Sequence, residues 1–342
     1  MEIEVKIASE DDAHSWDEIM GASPQATIFH TWKCLKIIEN YSRTKLYPLI
    51  IQKGDVPIGC FPVFYQKKLW MKLLFSPPPH VALSRLGPVM AEYNGLIPNK
   101  IESNTINLQQ KVDNFVFSEI NPDYLSFSSA FLQDSRGFKW AGYYVEPTYN
   151  YTHFLNEELD VIWSNIKKKS RDDIKRAQKK GLSVREGNKE DILILYDLLV
   201  NRYDEQHRNV NVSVKYLLEL YELLYPTNMR IFVVENKGEI ISGNIEVYLK
   251  DRAITWIGVP KAPDHANDLL TWECLKWAYH NGYKQYGIMG VAGTQRLYSF
   301  YSKFNPSLVV SFSAKKHSSQ VSKWISDFVE KSAKVRGWLN FV

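Results

Sequence analysis

The chain is poor in cysteine. Cys34, Cys60 and Cys274 are widely spaced and odd in number, and no CxxC pair occurs. Neither a disulfide framework nor a cysteine-based zinc site is expected, and a reducing compartment fits. Long apolar runs are also missing, so no segment approaches the ~20 residues of a membrane span. The first twelve residues, MEIEVKIASEDD, are acidic and lack the basic start and apolar stretch of a signal peptide, so a cytoplasmic protein is expected. Gly 17 and Pro 15 in 342 residues exclude collagen-like and low-complexity chains. Familiar chemistry motifs are absent too: GxGxxG, the P-loop, HExxH and GxSxG do not occur. The 8 histidines are scattered, no two at metal-ligand spacing, so no metal centre is expected.

What is present is aromatic and locally charged. Ten Trp, 20 Tyr and 16 Phe can fill large cores and exclude an intrinsically disordered chain. The length suggests two domains at ~150 residues each. The net charge of +4 conceals a concentration. Between Val161 and Arg185 lie Lys167, Lys168, Lys169, Arg171, Lys175, Arg176, Lys179, Lys180 and Arg185 against only Asp172 and Asp173. The remainder of the chain is therefore slightly acidic, and the basic segment needs a local explanation.

Two segments of the chain resemble each other. LIIQKGDVPIGCFPVF (Leu49–Phe64) and VVENKGEIISGNIEVY (Val233–Tyr248) both read as strand, tight turn, strand. Gly54 matches Gly238 and Gly59 matches Gly243 at the same spacing. Helical patterns precede both, over 31–40 in one case and over 191–203 and 213–224 in the other. A helix (100–117) and a strand (124–128) follow the first hairpin. A strand (253–259), a helix (267–281) and a strand (285–290) follow the second. Two copies of one α/β unit are expected.

The basic segment reads as one helix, capped by Asn156, with Glu157 and Glu158 at its positive end and a stop at Gly181. Ile162, Ile166, Ser170, Ile174 and Ala177 form its buried stripe. Lys168, Arg171, Lys175 and Lys179 gather on the opposite side. A solvated face is the plain reading of such a stripe, and phosphate binding is the functional one. The loop 259–266, with Asp264 and His265 ahead of a helix, is a candidate lip of a site, as are His30 and Trp32 at the start of another. A last helix is expected over 318–338.

The order of these segments resembles the FemAB family. SNIKKKSRDDIKRAQKKGLSV is similar to the helix opening that family's second domain. WIGVPK, NDLLTWECLKWAYHNGYKQYGIMG and LYSFYSKFNP follow in the family's order, and ATIFHTWKCLK with its hairpin is similar to the first domain. The resemblance spans nearly the whole chain and extends to acetyltransferase-like GNAT relatives. It implies an α/β (α+β) fold of two tandem GNAT-like domains with mixed, mainly antiparallel sheets, over 1–146 and 147–342. It implies an acyltransferase in which an amine attacks an activated acyl carbon. In FemAB proteins the donor is an aminoacyl-tRNA and the acceptor a peptidoglycan precursor, whereas GNAT relatives use acyl-CoA.

By position, the resemblance gives Arg171 and Lys175 to phosphates of a nucleotide-linked or cell-wall-type acceptor, and Arg176 is a further substrate-binding candidate. It gives Trp32 to the N-terminal side of that pocket, and Lys303 and Phe304 to the reacting end. Trp256 is a further substrate-binding candidate. Lys303 is expected to stabilise developing negative charge and Tyr301 to relay a proton. Asp264, His265 and Asp268 are weaker candidates for a base. The chain departs from the family where FK is common, having Phe300-Tyr301 with Lys only at 303, and in carrying Gly287 where an acid is usual. No tightly bound cofactor is implied; aminoacyl-tRNA or acyl-CoA would be a co-substrate and tRNA a partner. A CoA-dependent N-acetyltransferase is the first alternative and a non-catalytic nucleic-acid-binding protein the second. The slightly acidic remainder argues against the latter.

Overall fold

The structure, a computed structural model, describes residues 2–91, 95–259, 262–288 and 295–320 together with Ser322. It divides into two compact units, Met1–Thr148 with Val310–Val342, and Tyr149–Val309. The first contains β1 (Ile3–Ile7), α1 (Ala13–Ala22), α2 (Trp32–Ser42), β2 (Lys45–Lys53), β3 (Val56–Lys68), β4 (Met71–Ser76), β5 (Val89–Met90), α3 (Pro98–Phe115), β6 (Tyr124–Ser128) and α4 (Arg136–Trp140). The strand β7 (Tyr144–Phe154) leads into the second. There follow α5 (Leu159–Asn165), α6 (Lys168–Lys179), β8 (Ser183–Glu186), α7 (Asp191–Asp204), α8 (Val214–Leu224), β9 (Met229–Asn236), β10 (Glu239–Leu249), β11 (Arg252–Gly258), α9 (Ala266–His280), β12 (Gln285–Ile288) and α10 (Gln295–Tyr301). β13 (Ser307–His317) returns the chain to the first unit.

The two units repeat one topology. The first runs β1-β2-β3-β4-β6-β13 and the second β8-β9-β10-β11-β12-β7. In each, the pair between the fourth and fifth strands is parallel, β4 with β6 and β11 with β12. The pairings that flank them, from β1 with β2 to β12 with β7, are antiparallel. The sixth strand of each unit is supplied by the other half of the chain. β7 follows the first half and pairs with β12; β13 follows the second half and pairs with β6. The described residues from 310 to 320 therefore group with the first unit.

Both expected hairpins form, with a register one residue away from the glycine match. The turns are Gly54-Asp55 and Lys237-Gly238, closed by the pairs Lys53–Val56 and Asn236–Glu239. Gly54 has φ 60, and Lys237 and Gly238 have φ 51 and 84. The first turn thus places its glycine first and the second places it second. Each returning strand then shifts register two residues after the turn, between the pairs at Pro57 and Gly59 and between those at Ile240 and Ser242. A Cβ on Gly59 would lie 2.2 Å from Leu108 Cδ1 and 2.6 Å from the Val89 carbonyl oxygen. One on Gly243 would lie 2.6 Å from Leu195 Cδ2 and 2.7 Å from the Phe232 carbonyl oxygen. Both glycines are required by close approach of a helix and a neighbouring strand.

In the first unit Phe61, Phe127, Phe138 and Phe312 are buried in an aromatic core. Phe127 meets Phe61, Phe138 and Phe312 at centroid distances of 5.1, 4.7 and 6.0 Å. In the second, α5, α6 and α9 share one core, with Trp163 and Trp272 4.6 Å apart. The expected last helix over 318–338 lies outside the described residues, as do positions 289 and 290 of the strand expected to end there, apart from residues 318–320 and Ser322 of the former.

Candidate active site in the second unit

The basic segment is two helices, not one. Glu158, not Asn156, is the N-cap of α5, and Ile166 and Lys167 are extended, with ψ 137 and 134. The Lys167 N–H donates to the Lys303 carbonyl oxygen at 2.9 Å in place of an intrahelical bond. The expected stripe is nevertheless buried throughout, from Ile162 through Ile166, Ser170 and Ile174 to Ala177. Gly181, at φ 82, follows the helix end as expected. Breaking the helix at 166–167 ties the start of the cationic helix α6 to a residue 136 positions further along the chain.

Along α6, Lys168, Lys175 and Lys179 are exposed, while Arg171 is half-buried. The Arg171 Nε is shielded from solvent and has no hydrogen-bond partner among the described residues. A buried, unpaired guanidinium nitrogen is costly, and an anionic ligand would satisfy it. Arg176 points elsewhere: its Nη1 donates to Asp173 Oδ1 at 3.1 Å, and its side chain is largely exposed. Asp173, buried on α6, also faces His265 Nδ1 at 3.7 Å.

Lys303 sits in the 3-10 turn Ser302–Phe304. Its ammonium lies 2.5 Å from Asp268 Oδ1 and over the Phe300 ring, 4.1 Å from the centroid. Asp268 occupies the first turn of α9, where the helix dipole favours an acid. Burial, reinforced by the nearby Asp173 carboxylate, raises its carboxyl above the usual range, although Lys303 opposes this. Ahead of α9, Asp264 and His265 both adopt left-handed backbone, at φ 54 and 63. Lys180 reaches across from the end of α6 to Asp264 Oδ1 at 2.5 Å. Successive non-glycine residues at positive φ are strained and are held by such contacts. The loop over 259–266, singled out from sequence, is thus pinned to α6; Pro260 and Lys261 within it lie outside the described residues.

Sequence reasoning missed the polar row beneath α9. Ser242, Asn244 and Glu246 alternate along β10 and are all buried. Ser242 donates to Asn267 Oδ1 at 2.5 Å, and Asn244 lies 4.0 Å from Cys274 Sγ. The Glu246 carboxylate accepts from Thr255 at 2.9 and 3.2 Å and from the Tyr286 hydroxyl at 3.3 Å. Burial pushes the Glu246 carboxyl up to about 7, against those hydrogen bonds. In the string SGNIEV, polar Ser, Asn and Glu alternate with Gly, Ile and Val, the pattern of a strand with one solvated face. Here both faces are covered. Tyr301 is close enough for Glu246 to influence it, and burial raises its phenol well above the ordinary value. It remains a proton donor across the neutral range.

Other expected site residues are buried. Phe304 is buried in the core of the second unit. Trp256 is buried on β11 against Tyr216 of α8, centroids 6.0 Å apart, whereas its neighbour Thr255 turns to Glu246. Alternation along the strand therefore directs Trp256 away from α9. Trp32 lies in the first unit, buried, with its indole N–H donating to Glu10 Oε2 at 2.8 Å. His30 is buried there as well; its Nδ1 accepts from the Thr27 N–H at 3.0 Å and its Nε2 donates to the Leu86 carbonyl at 3.0 Å. Burial holds it neutral, with its pKa pushed down to about 4. Among the described residues, no group of three or more His, Cys, Asp and Glu side chains could hold a metal ion.

Residues 166–296, which include α6, the polar row and α9, match the model of the acetyltransferase (GNAT) domain. Over that segment the second unit is similar to acetyltransferase (GNAT) domains. Beyond this match, the fold of the whole chain is shared with FemX, at a TM-score of 0.69 and 11% identity, covering 91% of this chain and 96% of that one. A C-terminal domain of a putative lysylphosphatidylglycerol synthetase from Agrobacterium fabrum aligns at 0.56 and 12%, covering 97% and 99%. A tandem GNAT protein from the clavulanic acid biosynthesis pathway aligns at 0.52 and 9%, covering 93% and 98%. These likenesses establish a tandem GNAT-like fold. No curated protein matches the sequence. No described helix is long and apolar enough to cross a membrane.

Proposed function

We propose that the protein is a FemAB-like aminoacyltransferase, moving an aminoacyl group from aminoacyl-tRNA to the amine of a phosphate-bearing, nucleotide-linked or cell-wall-type acceptor. The observation that carries this reading is the junction of Lys167 with Lys303. It brings the cationic helix, with its unpaired Arg171 Nε, to the same corner as an ammonium anchored at the start of α9. Arg171 and Lys175 hold the acceptor phosphates. The acceptor amine attacks the ester carbonyl carbon, and the carbonyl oxygen becomes an oxyanion opposite Lys303. Collapse breaks the bond to the ribose oxygen, which leaves with a proton. Tyr301, kept as a phenol by burial, supplies that proton, and the proton lost by the amine replaces it. Glu246 is the nearby carboxyl whose raised pKa suits transient acceptance of the amine proton.

The match to a GNAT domain favours acyl-CoA as the second reading for the donor. Purified protein offered aminoacyl-tRNA and acetyl-CoA in parallel, with uridine-diphosphate-linked amines as acceptors, separates the two. Amide formed only from aminoacyl-tRNA supports the proposal. Amide formed only from acetyl-CoA replaces it with the second reading.

A further inference from the structure

The turn joining β3 to β4, in the first unit, carries an anomaly that the proposed acyl transfer does not use. Leu69 and Trp70 are 73% and 66% exposed, the most exposed large apolar side chains among the described residues, and they are adjacent. They form a two-residue turn closed by Lys68 and Met71, with Lys67 directly opposite Lys72. Leu69 has φ 55, a left-handed conformation that disfavours a branched aliphatic residue. Like charges directly across an antiparallel pair are also unfavourable. Folding alone would favour Gly or Asn at 69 and opposite charges at 67 and 72. The same end of the sheet adds exposed Arg43 and Lys45 at the start of β2, whose Lys45 pairs with Tyr65. The neighbouring acids are engaged: Glu39 pairs with Lys36, and Asp123 accepts from the Lys72 N–H at 2.8 Å.

We infer that this tip is a membrane-docking element for an anionic phospholipid surface. Trp and Leu enter the interface, where an indole sits at headgroup depth. Lys67, Lys68 and Lys72 extend their stems alongside and meet lipid phosphates. A second copy of the chain is a poor occupant, because a symmetric contact would oppose two lysine clusters. A nucleic acid would stack on Trp70 but would leave Leu69 without an apolar phase.

The test is flotation of the full chain with vesicles of phosphatidylcholine alone and with 30% phosphatidylglycerol, a probe composition of about one anionic lipid in three. The parent should partition at least about tenfold more strongly onto the anionic vesicles, and less as salt is raised. The L69N/W70S variant should lose about tenfold. The K67S/K68S/K72S variant should lose about 10²-fold, at a factor of about five per lysine near the surface. The melting temperature of L69N/W70S should not fall, since Asn suits the left-handed position, and in the lysine variant loss of the Lys67–Lys72 like-charge pair is favourable. Equal binding to both vesicles, or undiminished binding of either variant, overturns the proposal. Loss of vesicle binding to competing RNA, or a self-association abolished by L69N/W70S, also overturns it.

Discussion

Replacing Arg171 is the sharpest probe of the phosphate site. Its Nε is buried without a partner among the described residues, so the free protein already bears the desolvation of that nitrogen. A ligand phosphate would supply a charge-assisted bond contributing ~1.5–3 kcal/mol. Arg171→Ala should therefore weaken binding of inorganic pyrophosphate by roughly 10- to 100-fold. Lys175 is exposed, and an exposed charge contributes ~0.2–1 kcal/mol, so Lys175→Ala should cost less than about fivefold. The double variant should lose about 10²-fold in all. Stability should barely change, because removing Arg171 also removes an unsatisfied buried donor, and the buried stripe of α6 is untouched. Isothermal titration of pyrophosphate, with melting curves alongside, measures both quantities. A parent protein that does not bind pyrophosphate, or a double variant of unaltered affinity, would leave α6 with only a solvated charged face.

Four further outcomes follow from named contacts. Glu246, raised to about 7 in the fold against about 4.5 when unfolded, favours the folded state increasingly as pH falls from 7 to 4.5. Glu246→Gln should therefore raise the melting temperature at pH 8 and lose that advantage by pH 4.5; an equal shift at both pH values would refute the raised carboxyl. His30, held down at about 4, works in the opposite direction, withdrawing stability as pH drops from 6.5 towards 4, so acid unfolding should be gentler in a His30→Gln variant than in the parent. Gly243→Ala should destabilise by ~1–3 kcal/mol in urea melts through overlap with Leu195 and the Phe232 carbonyl. Asp113→Ala should destabilise by ~3 kcal/mol, because Lys316 Nζ, 2.6 and 2.8 Å from the Asp113 oxygens, would lose its partner; an unchanged urea midpoint would show that this pair does not fasten β13 to α3.

The repeat was legible because hairpins carry local signals: two glycine-bearing turns and alternating strands. The one-residue slip between their glycines was not, because Gly54-Asp55 and Lys237-Gly238 solve the same turn with the glycine in different places. The stripe from Ile162 to Ala177 was legible from its i, i+4 spacing. The break within it was not, because it is made by the Lys303 carbonyl, a partner invisible to local patterning. The exchange of sixth strands is likewise a long-range pairing. Arg171 was reached from the cationic face of its helix and Lys303 by resemblance, whereas Glu246 was hidden by an alternation that reads as solvated. His30, Trp32, Trp256 and Phe304 drew attention as polar or aromatic residues beside motifs, and their burial shows each satisfied within its own unit.

The most direct test of the account is single-turnover acyl transfer from aminoacyl-tRNA to a uridine-diphosphate-linked amine, comparing the parent with Lys303→Met. Met preserves the packing of the stem against Phe300 while removing the ammonium. The account predicts amide formation by the parent and a loss of roughly 10²–10³-fold in the rate of the chemical step, the scale of one lost oxyanion contact. Transfer at an undiminished rate by Lys303→Met, or no transfer by the parent from either aminoacyl-tRNA or acetyl-CoA, would contradict it.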